Sequence, residues 1–447
     1  GPSSITLHDT SALENAVVSA TPTVNAGEGQ STDFEIFILP SAQVTNPGDI
    51  TVCHNEPVLA EVLTVQPSET SLTWNFSNPS LGLNSLSGST QIINGFTTQN
   101  TSTSVESGTM TMNPSFSFND ISCLGDPQTY NIYVNPIPTL NPLPPLSVFC
   151  EYDDVTISLS SDLDDGISYT WTNDNPLIGV NSTGISYDSL IFNAVNDTNQ
   201  PLTSNFIVTP VFSFNDVSCL GSSLPLAITI NPMPDVNPLP DYTLCATETG
   251  SNQFTSINPI IGLGTSYVWT NSNTDIGLIS GGTGSHFFTS ENTYTEPILS
   301  TVAVTPYYTN NEVTCIGDSS MFEITVNPMP TIDSLDDQSF CSGASSNSVI
   351  PSGNVPGTIY SWTNDNLEIP IAQSGTDSIP SVTIINSASI PIIANISVTP
   401  SYSFNNHLCV GTSEEFALIT NPVPELNELS DTSICAGNQL EIITSTT

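Results

Sequence analysis

Four stretches of the chain are written in nearly the same letters: SLTWNFSNPSLGL at 71–83, SYTWTNDNPLIGV at 168–180, SYVWTNSNTDIGL at 266–278 and IYSWTNDNLEIPI at 359–371. Together they hold all four tryptophans. A second signature, Asn-Pro-x-Pro, recurs at Asn135–Pro138, Asn231–Pro234, Asn327–Pro330 and Asn421–Pro424, at separations of 96, 96 and 94 residues. A period of that length is one small domain, so the chain has to fold as a tandem array of separate cores.

Each Asn-Pro-x-Pro follows an alternating run, TYNIYV, LAITI, MFEITV or EFALIT, in which every second residue is apolar. That is the period of a half-buried strand, read as the last strand leaving its domain. A Pro-rich spacer such as NPMPDVNPLP follows, with fixed φ angles that favour an extended connection. The 35 Pro and 27 Gly suit short strands and turns, and long helical periodicities are missing. The fold class expected is all-β, a row of β-sandwiches forming an elongated rod. The boundaries are expected at 1–40 (second half of an upstream repeat), 41–135, 136–231, 232–327, 328–421 and 422–447 (start of another), as in a piece cut from a longer array.

The chain has 43 Asp plus Glu and no Lys or Arg, a formal net charge of -43. Nucleic acid and anionic membrane surfaces are excluded as partners, since both are held by basic side chains. Lysine chemistry goes with them, and trypsin-like proteases find no site to cut. No run of 18 or more apolar residues offers a membrane span, and Gly1 opens the chain without a leader.

Cysteines stand at 53, 123, 150, 219, 245, 315, 341, 409 and 435, two per repeat, with alternating spacings of about 70 and about 26. The second of each pair lies in the turn before the last strand, and the first lies soon after the spacer. Placing both at the upstream end of the domain predicts bridges within repeats: Cys53 to Cys123, Cys150 to Cys219, Cys245 to Cys315 and Cys341 to Cys409, with Cys435 left over. Paired cysteines on this scale point outside the cytoplasm. No CxxC or His cluster suggests zinc, and His8, His54, His286 and His407 occupy unrelated positions in their repeats. No metal and no cofactor are therefore expected. Trp74, Trp171, Trp269 and Trp362 read as core residues between two sheets, the alternative being exposed platforms for sugar. The pairs Phe116 with Phe118, Phe212 with Phe214 and Tyr402 with Phe404 also read as core.

Taken together, YxWTNDNxxIG, TPxYxFNxxxCxG and FxITVNPxP resemble the PKD-like, immunoglobulin-like repeats of giant cell-surface gliding adhesins of Bacteroidota, of the SprB kind. The resemblance covers the four whole repeats and both partial ones. It departs from ordinary PKD domains in having Trp-Thr-Asn-Asp where those carry a WDFGDG-like signature. What it implies is an extracellular filament anchored at the outer membrane and exported by type IX secretion. Its partners would be the secretion and motility machinery, and an adhesion target or polysaccharide met by regions outside this segment. Three Asp-Ser-[Leu/Ile] triplets resemble the O-glycosylation sequon of that phylum, which marks Ser189, Ser334 and Ser378 as candidate modification sites. The acidic cluster of Asp162, Asp164 and Asp165 lacks the spacing of an EF-hand loop and reads as a solvated turn. No Gly-rich phosphate loop, GxSxG or HExxH is present, so an enzyme is not expected. A stalk, a glycan-binding array and the accessory domains of a secreted enzyme are the readings in competition, and the first fits best because the recurring residues are core, turn and spacer types.

Overall fold

The structure is a computed structural model that describes residues 11–25, 27–258, 264–425, 431 and 433–439. His8 and most of 422–447 lie outside the described residues. Two compact units divide the chain, residues 1–197 with 201–231, and 198–200 with 232–447. In the first unit one core is built around Trp74, Met110 and Ile132 and a second around Trp171, Phe206 and Ile228. In the second unit the cores centre on Trp269, Val302 and Ile324, and on Trp362, Ile396 and Leu418. Upstream of these, Glu14–Ala20 pairs antiparallel with Thr32–Ile38.

The strands between Leu146 and Asn231 show the plan, an immunoglobulin-like sandwich. Its larger sheet has the order Leu146–Cys150, Leu224–Asn231, Leu202–Phe214, Ile167–Asn173, Thr183–Ser186, and Asp154–Ser158 pairs with Ser189–Asn193 in the facing layer. The first strand runs parallel to the last, with Cys150 opposite Asn231. The 13-residue strand Leu202–Phe214 pairs with the last strand along one half of its length and overruns it by the other. The same larger sheet recurs around Glu106–Phe118, Ile298–Asn310 and Ile392–Phe404, each also 13 residues long.

The fourfold WTNDNPLIG-like motif is a packing device. Each Trp sits across from a glycine on the neighbouring strand: Trp74 from Gly88, Trp171 from Gly184, Trp269 from Gly282 and Trp362 from Gly375. A Cβ on Gly184 would stand 2.2 Å from the ring of Trp171, so only glycine lets the indole lie flat on the sheet. The Asn that follows caps a single 3-10 turn: Asn78, Asn175 and Asn273 accept the backbone N–H two residues on, and Gly82, Gly179 and Gly277 end the turn with positive φ. In the fourth repeat Pro370 replaces that glycine and no such helix forms, although Asn366 still accepts from Glu368.

Candidate functional site: the joint between repeats

Every long strand contains a proline, Pro114, Pro210, Pro306 or Pro400, where a central strand normally forbids one. Here the ladder to the last strand stops at Val208, and a new pairing with Val217–Leu220 begins at Val211. The proline lies in the gap and needs no N–H; its carbonyl accepts from Gly221, and Pro114, Pro306 and Pro400 accept likewise from Gly125, Gly317 and Gly411, at 2.9 to 3.0 Å. The spacer crosses these glycines so closely that a Cβ on Gly221 would stand 2.0 Å from the carbonyl oxygen of Pro138. Beyond this break the strand continues as a hairpin arm, closed by two residues at positive φ: Asn119 and Asp120, Asn215 and Asp216, Asn311 and Glu312, Asn405 and Asn406. Two consecutive left-handed residues make a type I′ turn, which Asn and Asp tolerate best. Cys219 sits on this arm, opposite Phe212.

The downstream ends of the first and third domains each receive an arm. Because the first strand runs parallel to the last, it carries its cysteine away from the spacer to the downstream end. There Cys53 lies opposite Asn135, Cys245 opposite Asn327 and Cys341 opposite Asn421. The residue after each cysteine donates its N–H to that asparagine's carbonyl, from His54, Ala246 and Ser342, at 2.9 Å. An acid three residues after the cysteine caps its N–H: Glu56 for Cys53, Asp153 for Cys150 and Glu248 for Cys245.

Arm and socket meet within each unit. In the first, Cys53 is bonded to Cys219, with Cα atoms 5.6 Å apart. The Asn135 amide is fully buried and donates to the carbonyls of Phe214 and Val217, 3.2 Å each, so it grips both sides of the turn. Tyr133 packs on Phe214 with ring centroids 5.7 Å apart, and Asn215 donates to the Thr51 hydroxyl. In the second unit Cys245 is bonded to Cys409, and the buried Asn327 amide donates to the carbonyls of Phe404 and His407 at 3.2 and 3.4 Å. His407 Nε2 also lies 2.9 Å from Glu248 Oε2 across the joint. Cys245, Glu248 and His407 come close enough together to suggest a metal, but the sulfur is committed to the disulfide, leaving too few ligands for a structural zinc.

The expected bridges within repeats are thereby corrected. Cys219 is joined to Cys53 and not to Cys150, and Cys409 to Cys245 and not to Cys341. Cys123 and Cys341 are free thiols, as is Cys435. Cys150 and Cys315 are disulfide-bonded, and since Cys219 and Cys245 are taken, the pairs Cys150 to Cys219 and Cys245 to Cys315 do not form. The physical reason is strand direction. The first strand spans the sheet before reaching its cysteine, so the two cysteines of one repeat lie at opposite ends of the sandwich.

The aromatic pairs divide in the same way. Phe116 and Phe212 are buried, whereas Phe214 and Phe404 are exposed on the arms by 37% and 43%, outside the core expected for them. Tyr402 is half-buried. Phe118 packs on Phe37 of the upstream hairpin, at 4.9 Å, where Phe214 meets Tyr133 in the joint downstream. Asn135 and Asn327 escaped the sequence reading, which took Asn-Pro-x-Pro for a spacer mark. The available signal was a polar residue repeated at domain period and attached to the end of an apolar strand.

The four tryptophans are between 4% and 8% exposed, with Trp74 and Trp362 donating from Nε1 to the carbonyls of Thr90 and Ser378. Ser334 and Ser378 are exposed, while Ser189 is half-buried and donates to Asp188. Asp162 accepts the N–H of the spacer residue Thr139, and Asn354 does the same for Thr331, so an amide serves there as well as a carboxylate.

No protein-family model and no curated protein matches the chain. Among solved structures it is similar to the titin I67–I69 fragment at 15% identity, with a TM-score of 0.35 over 64% of this chain and 99% of that one. The ICAM-5 D1–D4 ectodomain fragment gives 10% and 0.33 over 85% and 99%, and the Sidekick-1 immunoglobulin domains 1–5 give 12% and 0.27 over 92% and 93%. At such values the likeness adds nothing to the fold the sheets already show.

Proposed function

We propose that the chain is a spacer segment of a giant extracellular adhesin, a cell-surface filament used for gliding and attachment and exported by type IX secretion. Its successive units are 41–135, 136–231, 232–327 and 328–421, and O-linked sugar sits on Ser189, Ser334 and Ser378. Adhesion belongs to regions outside this segment. The observation that carries the reading is the joint: the same arm, cysteine and asparagine lock one repeat onto the next in both units. The recurring polar side chains are thus used to hold repeats together. Disulfides form and persist in oxidising compartments, which suits export. Among the described residues no helix is long and apolar enough to cross a membrane.

A glycan-binding array would need stacking faces, and the indoles that recur in every repeat are buried. The test is an in-frame deletion of two repeats from the full-length protein, beside binding of the purified segment to polysaccharide surfaces. A spacer predicts retained surface display, retained attachment and no binding by the segment itself. Tight glycan binding by the segment would overturn it.

A further inference from the structure

The connectivity of the two joints decides how tension passes along the chain. We infer that the disulfides between repeats form a covalent bypass, so that a pull applied to the two ends leaves most of every whole repeat unloaded. This rests on the spacer reading for its biological meaning, but the bypass itself follows from connectivity alone.

The shortest covalent route follows the main chain to Cys53, crosses to Cys219, runs on to Cys245, crosses to Cys409 and continues to the end. Residues 54–218 and 246–408 hang off this route as closed loops. Each loop holds a Trp–Gly pair and the long strand of two repeats, from Glu106–Phe118 and Leu202–Phe214 in the first to Ile298–Asn310 and Ile392–Phe404 in the second. Cys150 and Cys315 lie inside the loops, so their disulfide state does not shorten the route. Between Cys53 and Cys409 only residues 219–245 carry the load as main chain. They comprise the last strand Leu224–Asn231, the spacer and the first strand Tyr242–Cys245.

The consequence is a ceiling on extension. Fully drawn out at about 3.6 Å per residue, the main chain from Cys219 to Cys245 spans roughly 90 Å. Without the two bonds the interval from Cys53 to Cys409 would release roughly 1,200 Å. Immunoglobulin-like domains bridged only inside themselves would still separate and unravel outside each bridge. Bonds that span two repeats, 166 and 164 residues apart in sequence, leave almost nothing to unravel. A chain built in this way transmits force with little change of length.

Single-molecule stretching of the whole chain by its ends tests this. Oxidised, the interval between Cys53 and Cys409 is expected to release no more than roughly 90 Å, in addition to whatever the two end segments give. Dithiothreitol, added after folding, converts each disulfide to two thiols while itself closing to a cyclic disulfide, and is expected to add roughly 1,100 Å. Cys219→Ser should remove only the bypass between Cys53 and Cys219 and add roughly 500 to 600 Å in oxidising buffer. Equal release with and without reductant would overturn the inference. Should the variant fail to fold, the reductant arm on prefolded protein decides alone. Glycan binding by the segment would defeat the spacer reading and leave these lengths unchanged, so the two failures are distinguishable.

Discussion

At the scale of single residues, the absence of Lys and Arg shifts the joining work to amides, hydroxyls and sulfur. Asn135 is the sharpest case, because its N–H groups face two carbonyls and its Oδ1 is buried without a protein donor. Asn135→Asp would replace two donors by a buried charge facing two acceptors. The cost is expected to be about 3 kcal/mol or more on the joint, read as a lower unfolding midpoint in denaturant. At the turns, Glu312 occupies a left-handed position where the other arms have Asp or Asn. Glu312→Asn should stabilise its repeat by about 0.5 to 1 kcal/mol, measured by the same method. His286 sits in the third core, stacked on Phe322 and flanked by Trp269, Phe254 and Phe288, with the Tyr242 hydroxyl 3.2 Å from Nε2. Burial pushes its pKa below the ordinary histidine value. The unfolded chain then binds the proton more readily, so stability falls as the pH drops below about 6.5 and levels off only below the folded pKa. The melting temperature of the third repeat should decline over that window, and His286→Leu should flatten the decline.

At the scale of elements, the strands were legible and their directions were not. Alternation in MFEITV and its counterparts marks the last strand, and Trp-Thr-Asn with a following glycine marks the strand whose indole lies on its neighbour. Immunoglobulin-like sheets with tryptophans inside follow from those periods. What the pattern could not carry is that Leu146–Cys150 and its equivalents pair parallel to the last strand and so deliver cysteine to the far end. A four- or five-residue run such as LSVFC looks the same in either direction of pairing, and one reversal exchanges bridges within repeats for bridges between them. The arm was hidden for a related reason: a proline inside each long strand argues against a continuous central strand, whereas it is the point at which one ladder hands over to another. Gly221 makes that handover possible under the spacer. Gly221→Ala is expected to cost about 1 to 3 kcal/mol by pushing the Pro138 carbonyl off the arm, seen as a loss of amide-exchange protection at Val217–Leu220.

At the scale of the whole molecule, 43 acids with no Lys or Arg make self-repulsion the one long-range electrostatic term. Screening weakens it, with a Debye length of about 30 Å at 0.01 M salt and about 8 Å at 0.15 M. The melting temperature is accordingly expected to rise with sodium chloride over that range, and a flat response would mean that the acids are far enough apart to ignore one another. Against that repulsion stand the disulfides, each closing a loop long enough to contribute about 5 kcal/mol in the chain-entropy estimate. These bonds join one repeat to the next. The most direct test is a disulfide map of the oxidised protein under non-reducing conditions, cut with Glu-C or chymotrypsin because trypsin finds no site. Linked peptides carrying Cys53 with Cys219 and Cys245 with Cys409 are expected, with free thiols at Cys123 and Cys341. Peptides linking Cys53 with Cys123, or Cys150 with Cys219, would contradict this connectivity.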